Sequence, residues 1–344
     1  MANVAADVLA PVATGAPRPF WTVIITTYKR THFLSQCMAS VLDQAPPPEE
    51  MEIILHDDYS DTDFRPLVET LGRNRVRAYR TTAQRGLYGN VNDALAKSTG
   101  QWIHIIHDDD FVLPGFYRTM QNALVRQSDN VAIACCQYTN IYEQKGTTWS
   151  PQPFRDGPGI IENWLDSLII TNPLNVSAVV YRRSIFEQIG RFREDLPFTG
   201  DWEYYIRAAT QFAWWYQPEN LARFRVHGQS QTDVLAQQGR TASDIRRTLE
   251  IAETYLPEDV KNRSLPQARM HQGQEFYNQA ASALTAKPQP NISLGLTLLK
   301  ECIKLGGDFP LSDNFMLAMR HPLVTPLLKE LITTWREVHH QAGK

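Results

Sequence analysis

Nothing in this chain approaches the run of about eighteen uninterrupted apolar residues that a membrane-spanning helix needs, so no such helix is expected. Cysteine is scarce as well. Cys37, Cys135, Cys136 and Cys302 are the only four in 344 residues, and apart from the adjacent pair they lie far apart. That spacing suits neither a disulfide framework nor a zinc site and reads as reduced, mostly buried thiols in a cytoplasmic protein. An excess of basic charge is missing too. The formal net charge of −3 gives no electrostatic basis for general nucleic-acid binding, so any phosphate ligand must be held by local chemistry. Residues 1–18 lack the positive start and apolar h-region of a secretory signal and are expected to form a flexible leader. What remains, 43% apolar and 21% charged, is ordinary globular composition, long enough for one large α/β domain with an appendage.

Against that background one feature stands out, the run Ile105-Ile106-His107-Asp108-Asp109-Asp110. An apolar strand ending in three adjacent carboxylates must place that charge somewhere, because clustered carboxylates repel one another and lose hydration. A divalent cation is the natural partner, and hard oxygen ligands at a strand end suit Mg²⁺ or Mn²⁺ with positions left for water and phosphate. A solvated acidic loop is the competing reading. The preceding strand Trp102–Ile106 and the following Pro114-Gly115 turn weigh against it.

The rest of the first half repeats strand, loop and helix. Trp21–Thr26 is a β-branched strand, followed by Phe33, Leu34, Cys37, Met38, Val41 and Leu42 at helical spacing. After Pro46-Pro47-Pro48 come a strand at Met51–Leu55, the pair Asp57-Asp58, and a helix through Phe64, Leu67, Val68 and Leu71. Val76–Tyr79 predicts a third strand, and a helix from about Gly89 to Lys97 leads to the fourth. Alternation of this kind predicts a Rossmann-like, mainly parallel sheet flanked by helices, which binds ligands beyond the carboxyl ends of its strands. Thr26, Asp58 and Asp109 all fall at such ends. Further on, Val176–Tyr181 reads as a strand, Ser184 begins a helix, Thr199-Gly200-Asp201 opens another, and Trp214–Tyr216 is an aromatic strand. From about residue 241 to 344 the apolar stripes (Ile245, Leu249, Ala252, Leu256; Leu298, Cys302, Leu305; Leu327, Leu328, Leu331, Trp335) predict an all-helical C-terminal extension beyond a domain at 19–240.

These residues resemble the family 2 glycosyltransferases of the GT-A fold, which invert configuration at the sugar's anomeric carbon. The likeness covers roughly residues 20 to 232. Val23–Arg30 stands for the opening strand and its P-T-Y-N-R turn, Ser40–Gln44 for S-V-L-x-Q, and Ile53–Asp61 for the strand and D-D-G-S turn. Gly86 and Asn92 match the G-to-N segment, His107–Asp110 the D-x-D element, and Gly200–Glu203 the late E-D-W element. Six such elements in order over two hundred residues make coincidence improbable. The departures are Thr26 for proline, Lys29 for asparagine, Tyr59 for glycine, His107 for the first aspartate of D-x-D, and Gly200 for the glutamate before Asp201.

What the resemblance implies is a nucleotide-sugar donor, UDP- or dTDP-linked, lying across the sheet rim. Thr26, Tyr28 and Asp58 would surround base and ribose, with Asp58 accepting the N3–H of uracil or thymine and Tyr28 either stacking on the base or packing in the core. Asp108 would hold the ribose or a metal-bound water. Asp109 and His227 would serve a Mn²⁺ or Mg²⁺ at the diphosphate, and Arg85 and Arg80 would reach the same phosphates. Asp201 is the expected general base, unless it only caps its helix. Glu203 would bind acceptor or pair with an arginine, and Trp202, in a concentration of aromatics with Tyr204, Tyr205, Trp214, Trp215 and Tyr216, would line the acceptor side or fill the core. The activity implied is transfer to a hydroxyl of a glycan or lipid-linked acceptor, in surface polysaccharide or other glycan assembly, on the cytoplasmic side. The helical extension would mediate homo-oligomerisation or peripheral docking to a membrane-bound assembly. Two other readings stay open: a sugar-nucleotide nucleotidyltransferase, which would need a glycine-rich basic loop that Thr26–Arg30 does not supply, and a silent nucleotide-sugar-binding protein.

Overall fold

The computed structural model describes residues 8–13, 15–29, 32–228 and 230–306. The chain divides into two compact units: one holds 1–164 and 173–228, the other 165–172 and 229–344. The expected division lay at 240/241; the observed one falls twelve residues earlier and also gives the second unit a segment from mid-chain. The expected stripe at Leu327, Leu328, Leu331 and Trp335 lies outside the described residues, as do residues 1–7 of the leader.

The first unit opens with β1 (Trp21–Thr27), α1 (Leu34–Leu42), β2 (Met51–Asp57), α2 (Arg65–Leu71), β3 (Val76–Arg80), α3 (Leu87–Leu95) and β4 (Trp102–His107). It continues through β5 (Phe111–Val112), α4 (Phe116–Leu124), β6 (Val131–Tyr142), β7 (Thr147–Trp149) and β8 (Gly159–Ile160). After α5 (Trp164–Ile170) come a 3₁₀ turn at Val176–Ala178, β9 (Val179–Arg182), α6 (Arg183–Gln188), α7 (Gly200–Ala209) and β10 (Ala213–Val226). One sheet joins the strands in the order β3-β2-β1-β4-β9-β6-β10-β5, with β7 on β6 and β8 on β10. β3, β2, β1 and β4 run parallel; β9 runs antiparallel to both its neighbours, β10 is parallel to β6, and β5 is antiparallel to β10. The sheet is therefore mixed and mostly parallel, as its sequence predicted.

All seven residues of β1 are buried, which is why it reads as a continuous β-branched run and not as an alternating one: helices cover both faces. Cys37, Met38 and Val41 of α1 pack with Trp21, Val23 and Ile25 in the same core, each buried aliphatic side chain contributing roughly 1.5–3 kcal/mol. The expected strand from Val176 starts three residues late, because Asn175 accepts the Ser177 N–H and winds the chain into the 3₁₀ turn first. The leader needs correction. Leu9 is buried, its N–H donates to Phe186 O at 2.9 Å, Arg183 donates to Ala10 O, and Arg18 donates to Thr99 O and Gly100 O. An apolar anchor and four hydrogen bonds tie the chain down at Leu9, Ala10 and Arg18.

The second unit adds α8 (Gln231–Gln237), α9 (Arg240–Glu253), α10 (Glu258–Arg263), α11 (Leu265–Thr285) and α12 (Ile292–Lys304) to the segment 165–172. Ser230 and Asp233 form a reciprocal capping box at α8. Gly295 lets α12 approach α11, since a Cβ there would sit 2.4 Å from Leu284 Cγ. No helix among the described residues is long and apolar enough to cross a membrane.

Candidate active site

Parallel register sets the acidic rim. Thr26 of β1 lies opposite His56 of β2 on one side and His107 of β4 on the other. The residue after each flanking strand folds back onto β1: Asp58 N–H donates to Thr27 O and Asp108 N–H to Thr26 O, both at 3.0 Å. Two strand spacings, about 10 Å, thus separate the acidic turns, with the β1 turn between them.

Asp58 accepts the Arg85 N–H at 2.7 Å and the Gly86 N–H at 2.9 Å, one on each oxygen. These are donors at the start of α3, and each oxygen keeps a lone pair for a ligand. Burial raises its pKa, and the two backbone hydrogen bonds oppose that. Asp57 holds its own turn, accepting from Ser60 N and Oγ and pairing with Arg80. Thr26 Oγ1 lies 2.7 Å from His107 Nδ1. Tyr28 is half-buried, with the Lys29 ammonium 5.2 Å from its ring centroid. The Arg85 side chain is half-exposed and faces Asp93 and Glu194, so what Arg85 brings to the donor rim is its backbone N–H.

Two of the departures from the family pattern fall on left-handed backbone: Lys29 has φ +57° and Tyr59 φ +63°, in the places of an asparagine and a glycine. Those are the residue types that adopt this conformation with least strain. The turn geometry is kept all the same. Lys29 N–H donates to Ser60 Oγ at 2.7 Å, Lys29 Nζ pairs with Asp61 at 3.0 Å, and the Arg80 guanidinium lies 5.2 Å from the Tyr59 ring centroid.

In the turn after β4 the three carboxylates have different partners. Asp108 accepts the Thr27 hydroxyl at 2.5 Å and the Tyr28 N–H at 3.4 Å, fixing the β1 turn. Asp109 Oδ2 lies 3.1 Å from His227 Nε2. Asp110 is fully buried; Oδ1 accepts the Arg225 N–H, Oδ2 has no hydrogen bond, and burial, then the charge of Asp109, pushes its pKa well above the usual carboxylate range. Arg225 organises this turn. Its guanidinium donates to Asp109 O at 2.7 Å, Glu143 at 2.9 Å and Gln36, and lies between the rings of Phe33 and Phe111. Nothing in the sequence singled it out, although it lies near the end of β10 and two residues before His227.

Asp201 begins α7. Its Oδ1 accepts the Trp202 N–H at 2.7 Å, and its own N–H donates to the Tyr88 hydroxyl at 3.0 Å. For Glu203 and Trp202, each left between acceptor binding and a structural role, the structure supports the structural role. Glu203 is 1% exposed and pairs with Arg207 through two hydrogen bonds of 3.0 and 2.9 Å; Arg207 also donates to Arg191 O and Ile189 O. A carboxylate so buried and so paired is holding α7 to the preceding loop. Trp202 is 3% exposed, and Tyr204, Tyr205, Trp214 and Tyr216 are buried as well; these aromatics fill the core.

Among the described residues no group of three or more His, Cys, Asp or Glu is arranged around one point. The pair Asp109–His227 nevertheless fits a hexacoordinate cation. A carboxylate oxygen and an imidazole nitrogen face each other at 3.1 Å, and both are ligand types that such an ion would accept. The remaining positions would go to water and to ligand oxygens, the usual shell of Mg²⁺ or Mn²⁺ at a diphosphate.

A mostly parallel sheet with acidic turns gathered at its carboxyl-end rim defines a GT-A-type transferase fold. Residues 22–190 match the model of Glycosyl transferase family 2, and the chain belongs to that family and is a glycosyltransferase. It is 29% identical to the GalNAc(5)-diNAcBac-PP-undecaprenol beta-1,3-glucosyltransferase of Campylobacter jejuni over 105 residues, 30% of this chain and 33% of that one. Its fold is similar to that of S. aureus TarS 1-349 in complex with UDP-GlcNAc, with a TM-score of 0.66 at 16% identity over 94% of this chain and 92% of that one. It is also similar to the mannosyltransferase PcManGT of Pyrobaculum calidifontis in complex with GDP-Man and Mn2+, with a TM-score of 0.55 at 19% identity over 96% and 89%.

Proposed function

We propose that this chain is a metal-dependent, inverting glycosyltransferase that moves a sugar from a UDP- or dTDP-sugar to a hydroxyl of a glycan or lipid-linked acceptor, in surface polysaccharide or other glycan assembly. The observation that carries the reading is the Asp109–His227 pair at 3.1 Å, at the end of the β4 turn and about 10 Å across β1 from Asp58. The named ligands of the similar structures, UDP-GlcNAc in one and GDP-Man with Mn2+ in the other, support the same class of donor and ion. So does the undecaprenol in the name of the C. jejuni relative, for a lipid-linked acceptor.

Asp58 accepts the N3–H of the base through the lone pairs left over from Arg85 and Gly86, a contact that cytosine does not offer. Thr26 and Tyr28 flank base and ribose. Asp108 fixes the turn against which the ribose lies, and Asp109 and His227 would hold the ion. When bound, that ion supplies positive charge against the diphosphate as it leaves. Asp201 takes the proton of the acceptor hydroxyl while that oxygen bonds to the anomeric carbon from the face opposite the departing nucleoside diphosphate. Its place in the first turn of α7 suits a negative charge, because the helix N-terminus presents aligned peptide dipoles. The helical unit is proposed to serve self-association or docking to a membrane-bound assembly, which light scattering of the full chain with and without lipid vesicles distinguishes.

The test is a panel of nucleotide sugars with Mn²⁺, followed by calorimetry for binding and by nucleoside diphosphate release for turnover. Asp109→Ala is expected to lose Mn²⁺-dependent donor binding. Asp201→Asn is expected to keep it and to lose turnover by about 10²-fold or more. Undiminished metal-dependent binding by the first variant, or normal transfer by the second, overturns the corresponding assignment.

A further inference from the structure

The first turn of α7 contains a wedge that neither the family match nor the roles above explain. Tyr88 of α3 is 6% exposed, stacked on Phe192 with centroids 5.5 Å apart, and its hydroxyl receives the Asp201 N–H at 3.0 Å. Its ring occupies the space beside Gly200. A Cβ on that glycine would meet Tyr88 Cε2 at 2.5 Å and Cδ2 at 2.6 Å, far inside van der Waals contact. Gly200 is not among the residues with positive φ. The ring therefore requires the glycine; the backbone does not. This is the position where the family resemblance expects a glutamate, so the phenol fills the room a side chain would have taken and brings a polar atom of its own to Asp201.

That polar atom has two uses. The hydroxyl oxygen accepts from the Asp201 backbone N–H, so its own proton can be offered to the carboxylate of the same residue. Burial first, then the negative charge of Asp201, pushes the phenol well above its ordinary pKa, so it stays protonated and able to donate. Two residues before Tyr88, the start of α3 is fixed by the Asp58 carboxylate through the Arg85 and Gly86 N–H groups. One short stretch of chain thus touches a donor-side carboxylate at one end and Asp201 at the other.

We propose that Tyr88 is a positioning residue for transfer, its hydroxyl orienting the Asp201 carboxylate and pinning the first turn of α7 to the donor side of the site. The catalytic half of this proposal rests on Asp201 as general base; the contact itself does not. Tyr88→Phe removes the donor and keeps the ring against Gly200 and Phe192. The Asp201 carboxyl ¹³C resonance, identified by its loss in Asp201→Asn, reports the contact without any substrate. Loss of a hydrogen bond to the charged form raises a carboxyl's pKa, so its titration midpoint is expected to rise by about half a unit to one unit in Tyr88→Phe. With UDP-glucose, UDP-GlcNAc or UDP-galactose and Mn²⁺, kcat for UDP release is expected to fall about tenfold, as for a lost hydrogen bond to a charged group. The donor KM stays within about twofold. An unchanged midpoint overturns the proposal whatever the activity does. A shifted midpoint with turnover intact in Asp201→Asn keeps the contact and rejects Asp201 as base. A further variant separates positioning from packing: Gly200→Ala keeps the hydroxyl while crowding the ring, so it should lower Tm more than Tyr88→Phe does. A Tm in Tyr88→Phe that falls as far as in Gly200→Ala would show that the hydroxyl matters only as packing.

Discussion

The turns after β2 and β4 carry two and three consecutive aspartates and lie on either side of the same β1 turn, yet they dispose of their charge in opposite ways. After β2, Asp57 and Asp58 are both met by the chain's own donors: Ser60, Arg80, and the backbone N–H groups of residues 85 and 86. After β4, Asp108 is tied to Thr27, Asp110 is buried with one oxygen lacking a hydrogen bond, and Asp109 faces an imidazole. The β2 turn is complete as it stands and offers a ligand only spare lone pairs. The β4 turn is held at Asp108, at Asp110 and at the Asp109 carbonyl, while the Asp109 carboxylate faces His227, the pair proposed above to hold an ion. Rigidity around one adaptable carboxylate is what a cation site needs, since the ligand must be held in place without being neutralised.

Arg225 creates that rigidity, and replacing it is the largest perturbation available to the comparison. Arg225→Met keeps much of the stem volume but strips donors from Asp109 O, Gln36 and Glu143 and exchanges a cation lying between two aromatic rings for an apolar chain. Removing one member of a buried charged network costs about 3–5 kcal/mol, and urea unfolding of Arg225→Met should lie near the lower end because Glu143 is 42% exposed and can resolvate. Mn²⁺-dependent donor binding should weaken with it. The matching variant on the β2 side, Arg80→Met, should lose less stability, since Arg80 is itself 42% exposed and the buried Asp57 it leaves behind keeps its hydrogen bonds from Ser60. Equal losses would mean that the two turns are built alike.

How much of this was legible in the sequence follows from how local each signal is. The first four strands, the three helices between them and the rim at Thr26, Asp58 and Asp109 were all readable, because buried parallel strands leave continuous apolar runs and their carboxyl ends fall where the runs stop. The reversal of β9 and the pairing of β5 with β10 were not, since strand direction within a sheet is set by connections and leaves no periodicity. Among the site residues, Glu203 and Trp202 stayed between two readings for a physical reason: α7 is buried nearly all round, so polar and aromatic residues in it lose the helical stripe that would have shown which face was outside. Tyr88 and Gly200 lie 112 positions apart, and nothing in either neighbourhood announces that one fills the space the other vacates. The leader misled for a simpler reason: the anchor is a single leucine, Leu9, which composition cannot distinguish from its exposed neighbours.

The pH dependence of the scaffold sharpens the same contrast, because the strand feeding the β4 turn carries a fully buried base. His104 is bonded to the Tyr117 hydroxyl and to Ser177 O, both at 3.0 Å, and burial lowers its pKa from 6.5 to about 4, against the raising effect of the Ser177 carbonyl. The unfolded chain takes up a proton near pH 6.5 and the folded chain resists until about pH 4, so the stability that depends on this group is intact above pH 6.5 and is lost as pH falls through that window. At 1.36 kcal/mol per unit the full loss is about 3 kcal/mol. His104→Phe, although less stable at neutral pH for want of two hydrogen bonds, should unfold with a visibly flatter dependence between pH 6.5 and 4. Asp58, raised by burial, works in the opposite direction in the lower part of that range, but it does so in both proteins, so the difference between their slopes isolates His104. Identical slopes would mean that the ring charges without cost.

The smallest expected effect lies on the β2 side and has the opposite sign. Tyr59 holds φ +63° with a bulky side chain half in solvent, a conformation that costs an ordinary residue roughly 1 kcal/mol and glycine nothing comparable. Among the described residues its compensation is the Arg80 guanidinium 5.2 Å from the ring, an exposed cation–π contact worth about 0.5–1 kcal/mol. Glycine also widens the unfolded ensemble, which takes back part of the gain. Tyr59→Gly should therefore raise stability by at most about 1 kcal/mol, read as a higher urea midpoint at unchanged m-value. A distinct drop would mean that the ring braces the turn more strongly than its exposure suggests, and that the β2 turn depends on side-chain packing as much as the β4 turn depends on Arg225.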